Sequence, residues 1–380
     1  MNIVKSDVKL DSETANRPAP AATPSPTSSP TNRLRRWLGR GLLGLLLVLV
    51  LLGAAGALYQ SVATARDARD FPPPGEIVDV DGYQMHIYCL GQGSPTVILE
   101  SALAGSTSMW AWVQPEVAGA TRVCAYDRAG SGWSDSRPEP RDAQHVVAEL
   151  HALLATAEIP GPYVLVGHSY GGKYVRLFAA QYPDEVAGVV LVDASHPEQW
   201  TRTAEGQSKF QTFARLNSVA PFLARLGLLR LANYFPANPD LPSPQSAELK
   251  AFTNSTRFAD INAAEFSATP ETDQQVRAAG NLGDLPLVVV TATDHGYAAA
   301  AAAQAPQAQL DQLQAEEQLW QTFQVELAAL SSNSVQHVVP GADHASLLTK
   351  EKDAQATVAA ILEVIEAVRS GRPLLTASAK

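Results

Sequence analysis

Thiols are scarce in this chain of 380 residues, which holds two cysteines, Cys89 and Cys124, and three methionines. Two thiols exclude a small disulfide-framework domain and a four-thiolate zinc site. Bases are scarce as well: 28 Lys+Arg stand against 38 Asp+Glu, a formal net charge of −10. Seven of those bases (Lys5, Lys9, Arg17, Arg33, Arg35, Arg36 and Arg40) precede residue 41 beside only three acids, leaving 21 bases and 35 acids for the rest. A surface that acidic repels phosphate backbones and argues against nucleic acid as a partner. The chain has no HExxH pair, no paired CxxC and no phosphate-cradling loop, so neither a metal nor a nucleotide cofactor has support. What is abundant is apolar residues, at 46%, enough for a substantial core.

The apolar residues are unevenly distributed. Residues 1–32 are rich in Pro, Ser, Thr and Ala, a composition that cannot bury enough apolar surface to offset its ordering entropy, and a disordered tail is expected there. Residues 33–59 combine the basic flank Arg33 to Arg40 with an uncharged run from Gly41 to Tyr59. As a helix that run spans about 30 Å, the thickness of a bilayer's hydrocarbon core. A membrane anchor is therefore expected, in contact with lipid. The competing reading is a cleaved signal with Ala63-Thr64-Ala65 as its cleavage site, but the apolar part of such signals is usually only about 7–15 residues. Arginines before the span place the N-terminus in the cytoplasm and the body on the periplasmic or extracellular side. Residues 60–74, ending in Phe71-Pro-Pro-Pro-Gly75, read as a stiff spacer.

From Gly75 the order of elements carries information. Asp81-Gly82 between two β-rich segments signals a hairpin. Short apolar strands then alternate with helical segments: Thr96–Glu100, Arg122–Tyr126, a helix over 142–157, Tyr163–Gly167, a helix over 171–182 and Val186–Val192. The rhythm stops over residues 195–283, where no strand is visible, and resumes with Pro286–Val290, a helix near 307–331, a strand over 334–339 and a last helix near 353–369. Such alternation predicts an α/β fold with a mostly parallel central sheet flanked by helices. The expected division is core 75–194, cap 195–283, core 284–370 and a C-terminal tail 371–380.

Gly167-His-Ser-Tyr-Gly171 is a G-x-S-x-G motif lying between a predicted strand and a predicted helix, the context in which it forms a nucleophile elbow. Ser169 is then the nucleophile, and His168 only a residue of the turn. A serine hydroxyl needs a base to take its proton, and the base needs a carboxylate to fix its tautomer. Among the eight histidines, His295, His337 and His344 lie near the C-terminus. His337 falls inside a strand, whereas His344 follows the last strand at the carboxyl edge of the sheet, and it is the expected base. Asp294, after the strand preceding that of the histidine, is the favoured acid; Asp193, at the end of Val186–Val192, is the alternative. Asp343 reads as a solvated loop acid. Two backbone N–H groups should form an oxyanion hole: that of Tyr170 after the nucleophile, and that of Leu103, or its neighbour Ala102, in the loop after Thr96–Glu100.

These segments resemble the α/β-hydrolase superfamily and, through Val123-Cys-Ala-Tyr-Asp-Arg-Ala-Gly-Ser-Gly-Trp-Ser-Asp135, Leu165-Val-Gly-His-Ser-Tyr-Gly-Gly172 and Val190-Leu-Val-Asp-Ala-Ser-His196, its bacterial esterase/lipase-like members. The resemblance covers the sheet and elbow and hardly touches residues 195–283, which would form a helical cap insertion. Glu100-Ser-Ala stands where many members have His-Gly before the oxyanion loop. A serine at 169, where members that open epoxides or cleave carbon–halogen bonds carry aspartate, implies acyl transfer. In this fold the strand of Cys89 lies beside that of Cys124, so an exported body could close a disulfide between them; two buried thiols remain the other reading, because register is not legible in sequence.

The expectation is thus a membrane-anchored serine hydrolase that cleaves a carboxylic ester, with a small, apolar substrate and no cofactor. The same triad would serve amide, thioester or carbon–carbon bond hydrolysis. A noncatalytic binding protein on the same fold usually lacks a triad member, and this chain has candidates for all three. Within the cap, Phe222–Phe235 is apolar apart from Arg225, Arg230 and Asn233, which suits a packed cap helix better than an acyl-chain or bilayer-facing surface.

Overall fold

The computed structural model describes residues 30–138 and 140–374. Most of the expected disordered tail, residues 1–29, and the last six residues of the C-terminal tail lie outside them. The chain divides into two units after Leu52. Helix α1 (Pro30–Asp70) supplies the described part of the first unit and the beginning of the second. Among the described residues it is the one helix long and apolar enough to cross a membrane, and none of its most apolar stretch is buried within the protein.

Residues 60–70, expected to be spacer, instead continue α1. The reason is local: Val62-Ala-Thr-Ala-Arg-Asp-Ala-Arg-Asp70 holds neither Gly nor Pro, and the first helix-breaking signal is Pro72. This stretch belongs with the body. Gln60 is buried and donates to the Asn254 carbonyl at 3.0 Å, and the Arg230 guanidinium meets Asp67 at 2.7 Å.

The body is built on strands β1 (Glu76–Val80), β2 (Tyr83–Leu90), β3 (Thr96–Glu100), β4 (Val123–Tyr126), β5 (Tyr163–His168), β6 (Val186–Val192), β7 (Leu287–Ala292) and β8 (Ser334–Val339). They form one sheet in the order β1-β2-β4-β3-β5-β6-β7-β8. Only the β1/β2 and β2/β4 pairs are antiparallel. Apolar residues occupy both sides of the central strands because helices cover both faces. On β5 and β6, Leu165, Val189 and Leu191 pack with α3 (Ala143–Thr156) and α4 (Gly171–Gln181) through Leu150, Leu153 and Phe178. Their neighbours Val164, Val166, Val190 and Val192 pack on the opposite face with Val117 of α2 (Gln114–Ala118) and with Ile361 and Val364 of the last helix. That alternation is the period of two that a pleated strand imposes.

Residues 195–283 contain no strand among the described residues. They form α5 (Ala204–Arg225), α6 (Leu228–Leu231), α7 (Ser243–Thr253), α8 (Thr256–Ser267) and α9 (Thr269–Ala278). The alanine run near residue 300 becomes the short α10 (Tyr297–Ala302), followed by α11 (Gln307–Ala328), α12 (Ser346–Thr349) and α13 (Glu351–Ser370). In the apolar cap segment, Phe222, Leu228, Leu231 and Tyr234 are exposed.

Antiparallel pairing of β2 with β4 places Cys89 opposite Cys124, and the two sulfurs form a disulfide. It closes a loop with a sequence separation of 35, which by chain-entropy arguments stabilises the fold by about 2–4 kcal/mol. Thiol titration of unfolded, unreduced protein should therefore find no reactive thiol, and reduction should release two and lower the melting temperature. Two thiols before reduction would show an unbridged pair.

Candidate active site

The elbow is built by close backbone packing. A Cβ on Gly167 would lie 2.7 Å from the Gly171 carbonyl oxygen, and one on Gly172 would lie 2.4 Å from Ala194 Cβ. Between these glycines Ser169 takes a left-handed conformation, φ 54°, which costs a non-glycine residue energy and recurs at functional turns. Two other non-glycine residues nearby are bent in the same sense, Asp193 at φ 44° and Ala104 at φ 49°. The strained turn is stitched to the next strand: Ser169 N–H donates to the Val192 carbonyl at 3.0 Å, and Ser195 N–H donates to the Ser169 carbonyl at 2.8 Å. Asp193, which separates Val192 from Ala194, is thereby held close to Ser169.

Three side chains are brought into one line. His344 Nε2 lies 2.8 Å from Ser169 Oγ, and His344 Nδ1 lies 2.6 Å from Asp193 Oδ2. Asp294 takes no part in it. Its N–H and that of Thr293 both donate to the Ala342 carbonyl, which turns the chain after β7, and its Oδ1 accepts from the N–H groups of Gly296 and Ala298 at 3.1 Å. The acid favoured by strand order is thus spent on starting α10, and the carboxylate that faces His344 is the alternative, Asp193.

Asp193 is fully buried and its four acceptor contacts are all made within the protein. Oδ1 accepts from Ala292 N–H at 3.1 Å and from Trp320 Nε1 at 2.9 Å. Oδ2 faces both His344 Nδ1 and His295 Nε2, the latter at 2.8 Å. Burial alone would raise its pKa, but the hydrogen bonds from His295 and His344, with the charges of those rings, hold it well below the usual carboxylate range. His295 is bonded on its other side to Glu317 of α11, Nδ1 to Oε2 at 2.7 Å. Burial works against a charged ring there, yet the contacts with Asp193 and Glu317 lift the His295 pKa to about 9. His168 behaves in the opposite way. Burial, reinforced by the neighbouring His344, lowers its pKa to about 3, so the ring is neutral. Its Nε2 lies 2.9 Å from the His344 carbonyl oxygen, the contact that ties the histidine loop to the elbow.

The loop after β3 holds Leu103 and Ala102. Its shape is set by Arg128, which donates to the carbonyls of Ser101 at 2.9 Å and Ala102 at 2.6 Å while pairing with Glu100 and, through Nε at 2.7 Å, with Glu265 of α8. Glu265 also accepts from the Ala104 N–H at 2.7 Å. Leu103 N–H shares a trans peptide with the Ala102 carbonyl, so holding that carbonyl on Arg128 turns the N–H the other way. Glu100 is the buried carboxylate that anchors Arg128 and accepts from Tyr126.

Asp193, His295 and His344 are also the one group among the described residues with metal-ligating atoms clustered closely, all within 4.8 Å of one another. Ligands at about 2.0–2.1 Å around a tetrahedral ion sit about 3.3 Å apart. The nitrogen-to-oxygen distances of 2.6 and 2.8 Å are hydrogen-bond distances instead, and His344 already faces Ser169 with its other nitrogen.

Of these residues, sequence reasoning reached Ser169, His344 and the second-choice Asp193, and missed His295, Trp320, Glu317, Arg128 and Glu265. The one available signal was that His295 directly follows Asp294 at the same sheet edge.

Comparison with known proteins agrees with this architecture. The chain is 40% identical over 119 residues to a Schizosaccharomyces pombe protein, a match covering 31% of this chain and 21% of that protein. It is 32% identical over 124 residues to the 2-hydroxy-6-oxo-2,4-heptadienoate hydrolase of Pseudomonas putida, covering 32% of this chain and 44% of the enzyme. Both matches span less than half of the relative's length. An esterase from Exiguobacterium antarcticum superposes with a TM-score of 0.57 at 13% identity, over 77% of this chain and 99% of its own, a likeness of fold. The model of the α/β hydrolase fold family matches residues 95–305, more than half of the sequence, and with the sheet order and the elbow described above, the chain belongs to that family.

Proposed function

We propose that this protein is a membrane-anchored serine hydrolase that cleaves a carboxylic ester through an acyl-enzyme. The observation that carries the reading is the unbroken chain of hydrogen bonds from Ser169 Oγ through His344 to Asp193. His344 takes the Ser169 proton as the hydroxyl attacks the carbonyl, and Asp193 fixes the tautomer and stabilises the resulting imidazolium. The N–H groups of Tyr170 and Leu103 receive the developing oxyanion, and neither has another acceptor among the described residues. His344 then protonates the leaving alcohol, and water activated by the same ring releases the acid. A serine rather than an aspartate at the elbow favours acyl transfer over epoxide or carbon–halogen chemistry. The exposed apolar stretch of α1 supports anchoring, with the N-terminus in the cytoplasm and the body outside, as the arginines before the run require. Carbon–carbon bond hydrolysis is the second reading, since the substrate named for the similar Pseudomonas putida hydrolase, 2-hydroxy-6-oxo-2,4-heptadienoate, holds no ester or amide to cleave.

A fluorophosphonate probe should label the protein once, at Ser169, in the membrane fraction after a carbonate wash, and an ester chain-length panel should show turnover. Labelling elsewhere overturns the nucleophile. A soluble product beginning near Arg66 overturns the anchor, and turnover of a vinylogous 1,5-diketone but of no ester selects carbon–carbon chemistry.

A further inference from the structure

A triad needs one imidazole on its carboxylate, and here there are two on the same oxygen. His344 Nδ1 and His295 Nε2 lie 2.6 and 2.8 Å from Asp193 Oδ2. Both distances demand an N–H pointing at the carboxylate. For His344 this is the neutral tautomer that leaves Nε2 free to accept the Ser169 proton. For His295 the opposite nitrogen faces a second carboxylate, Glu317 Oε2, at 2.7 Å, so it too must carry a hydrogen. A doubly protonated His295 satisfies both carboxylates at once. Its ring centroid stands 6.0 Å from that of His344, with Trp320 against both rings.

We infer that His295 is a positioning residue: clamped as an imidazolium between Asp193 and Glu317, it fixes the Asp193 carboxylate against His344 and draws part of that carboxylate's negative charge away from the base. The inference rests on the proposed Ser169–His344–Asp193 triad. The charged groups facing His295 are Asp193 from the loop after β6, Glu317 from α11 and, once protonated, His344 from the loop after β8; Asp294 adjoins it in the chain. At rest the cluster of Asp193, His295 and Glu317 carries one net negative charge. When His344 accepts the serine proton, the four groups together become neutral. A second positive ring at this distance offsets part of the attraction that Asp193 exerts on a protonated His344. The device trades some stabilisation of the His344 imidazolium for a fixed Asp193 carboxylate.

The test is the pH profile of kcat/KM for an activated ester in full-length protein. His295→Gln keeps an N–H for Asp193 but removes the charge, and the acid limb should rise by about one pH unit, the scale of one charge at this separation in a partly screened site. His295→Lys keeps a charged donor and should leave the limb near its original place. Identical profiles for the Gln and Lys variants, or a Gln variant unchanged from the parent, overturn the inference. A readout independent of turnover covers variants that fold poorly. With a folded-state pKa raised from 6.5 to about 9, the stabilisation from His295 is complete below pH 6.5 and is lost as pH rises through 9. The melting temperature of the parent should fall across that window, and that of His295→Gln should not. Glu317→Gln should move the fall to lower pH, and a parent with no fall at all shows an uncharged His295. Turnover retained by Ser169→Ala would defeat the triad reading while leaving this melting behaviour in place, so the two failures are distinguishable.

Discussion

Ser169→Ala and His344→Ala should each lower kcat for an activated ester by about three or more decades, the scale of triad knock-outs. The two losses should not add, because the residues act as one unit: without the hydroxyl the imidazole has no proton to take, and without the imidazole the hydroxyl is a weak nucleophile at neutral pH. Ser169→Ala removes one partly exposed oxygen from a turn whose shape is set by Gly167, Gly171 and Gly172. The melting temperature should consequently change little, and a relief of strain at φ 54° is not expected from alanine, which is no freer there than serine. Turnover within tenfold of the parent for either variant, measured with the fold verified by melting, would remove the residue from the mechanism.

The elbow was legible because its signal is local. Gly167 is dictated by contacts with Gly171 and Gly172 inside the turn itself, so the spacing G-x-S-x-G flanked by an apolar strand and a helical segment suffices to place Ser169. The parallel sheet was legible for a similar reason: strands such as Val186–Val192, apolar on both faces, can only be buried on both faces. The pairing of Cys89 with Cys124 needed the strand order, which the resemblance supplied, and a register that it did not. A one-residue slip would have put the two side chains on opposite faces.

The rest of the site depends on contacts distant in sequence. Arg128 and Glu265 are 137 residues apart, and nothing in the cap sequence announces that Glu265 of α8 will reach down to the loop carrying Leu103. The continuation of α1 through Asp70 was a different kind of miss. The propensity of Val62–Asp70 favours helix, and it was outweighed by reading the proline run at Pro72 as the mark of an extended spacer.

Asp193→Asn should cost about three to four decades in kcat near neutral pH, whereas Asp294→Asn should stay within about threefold of the parent. An amide at 193 can present an oxygen or an NH2 to His344, but not both, and the same group must satisfy Ala292 N–H, Trp320 Nε1 and His295 Nε2, all donors. Whichever way it rotates, an amide hydrogen meets a donor or His344 is driven into the tautomer that presents Nε2–H to Ser169, where a lone pair is required. Electrostatics adds to the loss, since the negative charge that stabilises the imidazolium is gone. Asp294 has no such role. Its Oδ1 accepts two N–H groups at the start of α10, and the oxygen of asparagine accepts them equally well. Strand order alone would have assigned the larger loss to residue 294, because the loop after β7 also ends at the carboxyl edge. What decides between the two carboxylates is the direction of the chain after each strand: Thr293 and Asp294 are both turned onto the Ala342 carbonyl, while Asp193, bent to a left-handed φ, is aimed beneath His344. A profile in which Asp294→Asn is the more damaging change would mean that the acid shifts to residue 294 in the substrate complex, and the ratio of the two kcat values, measured on the same ester, decides it.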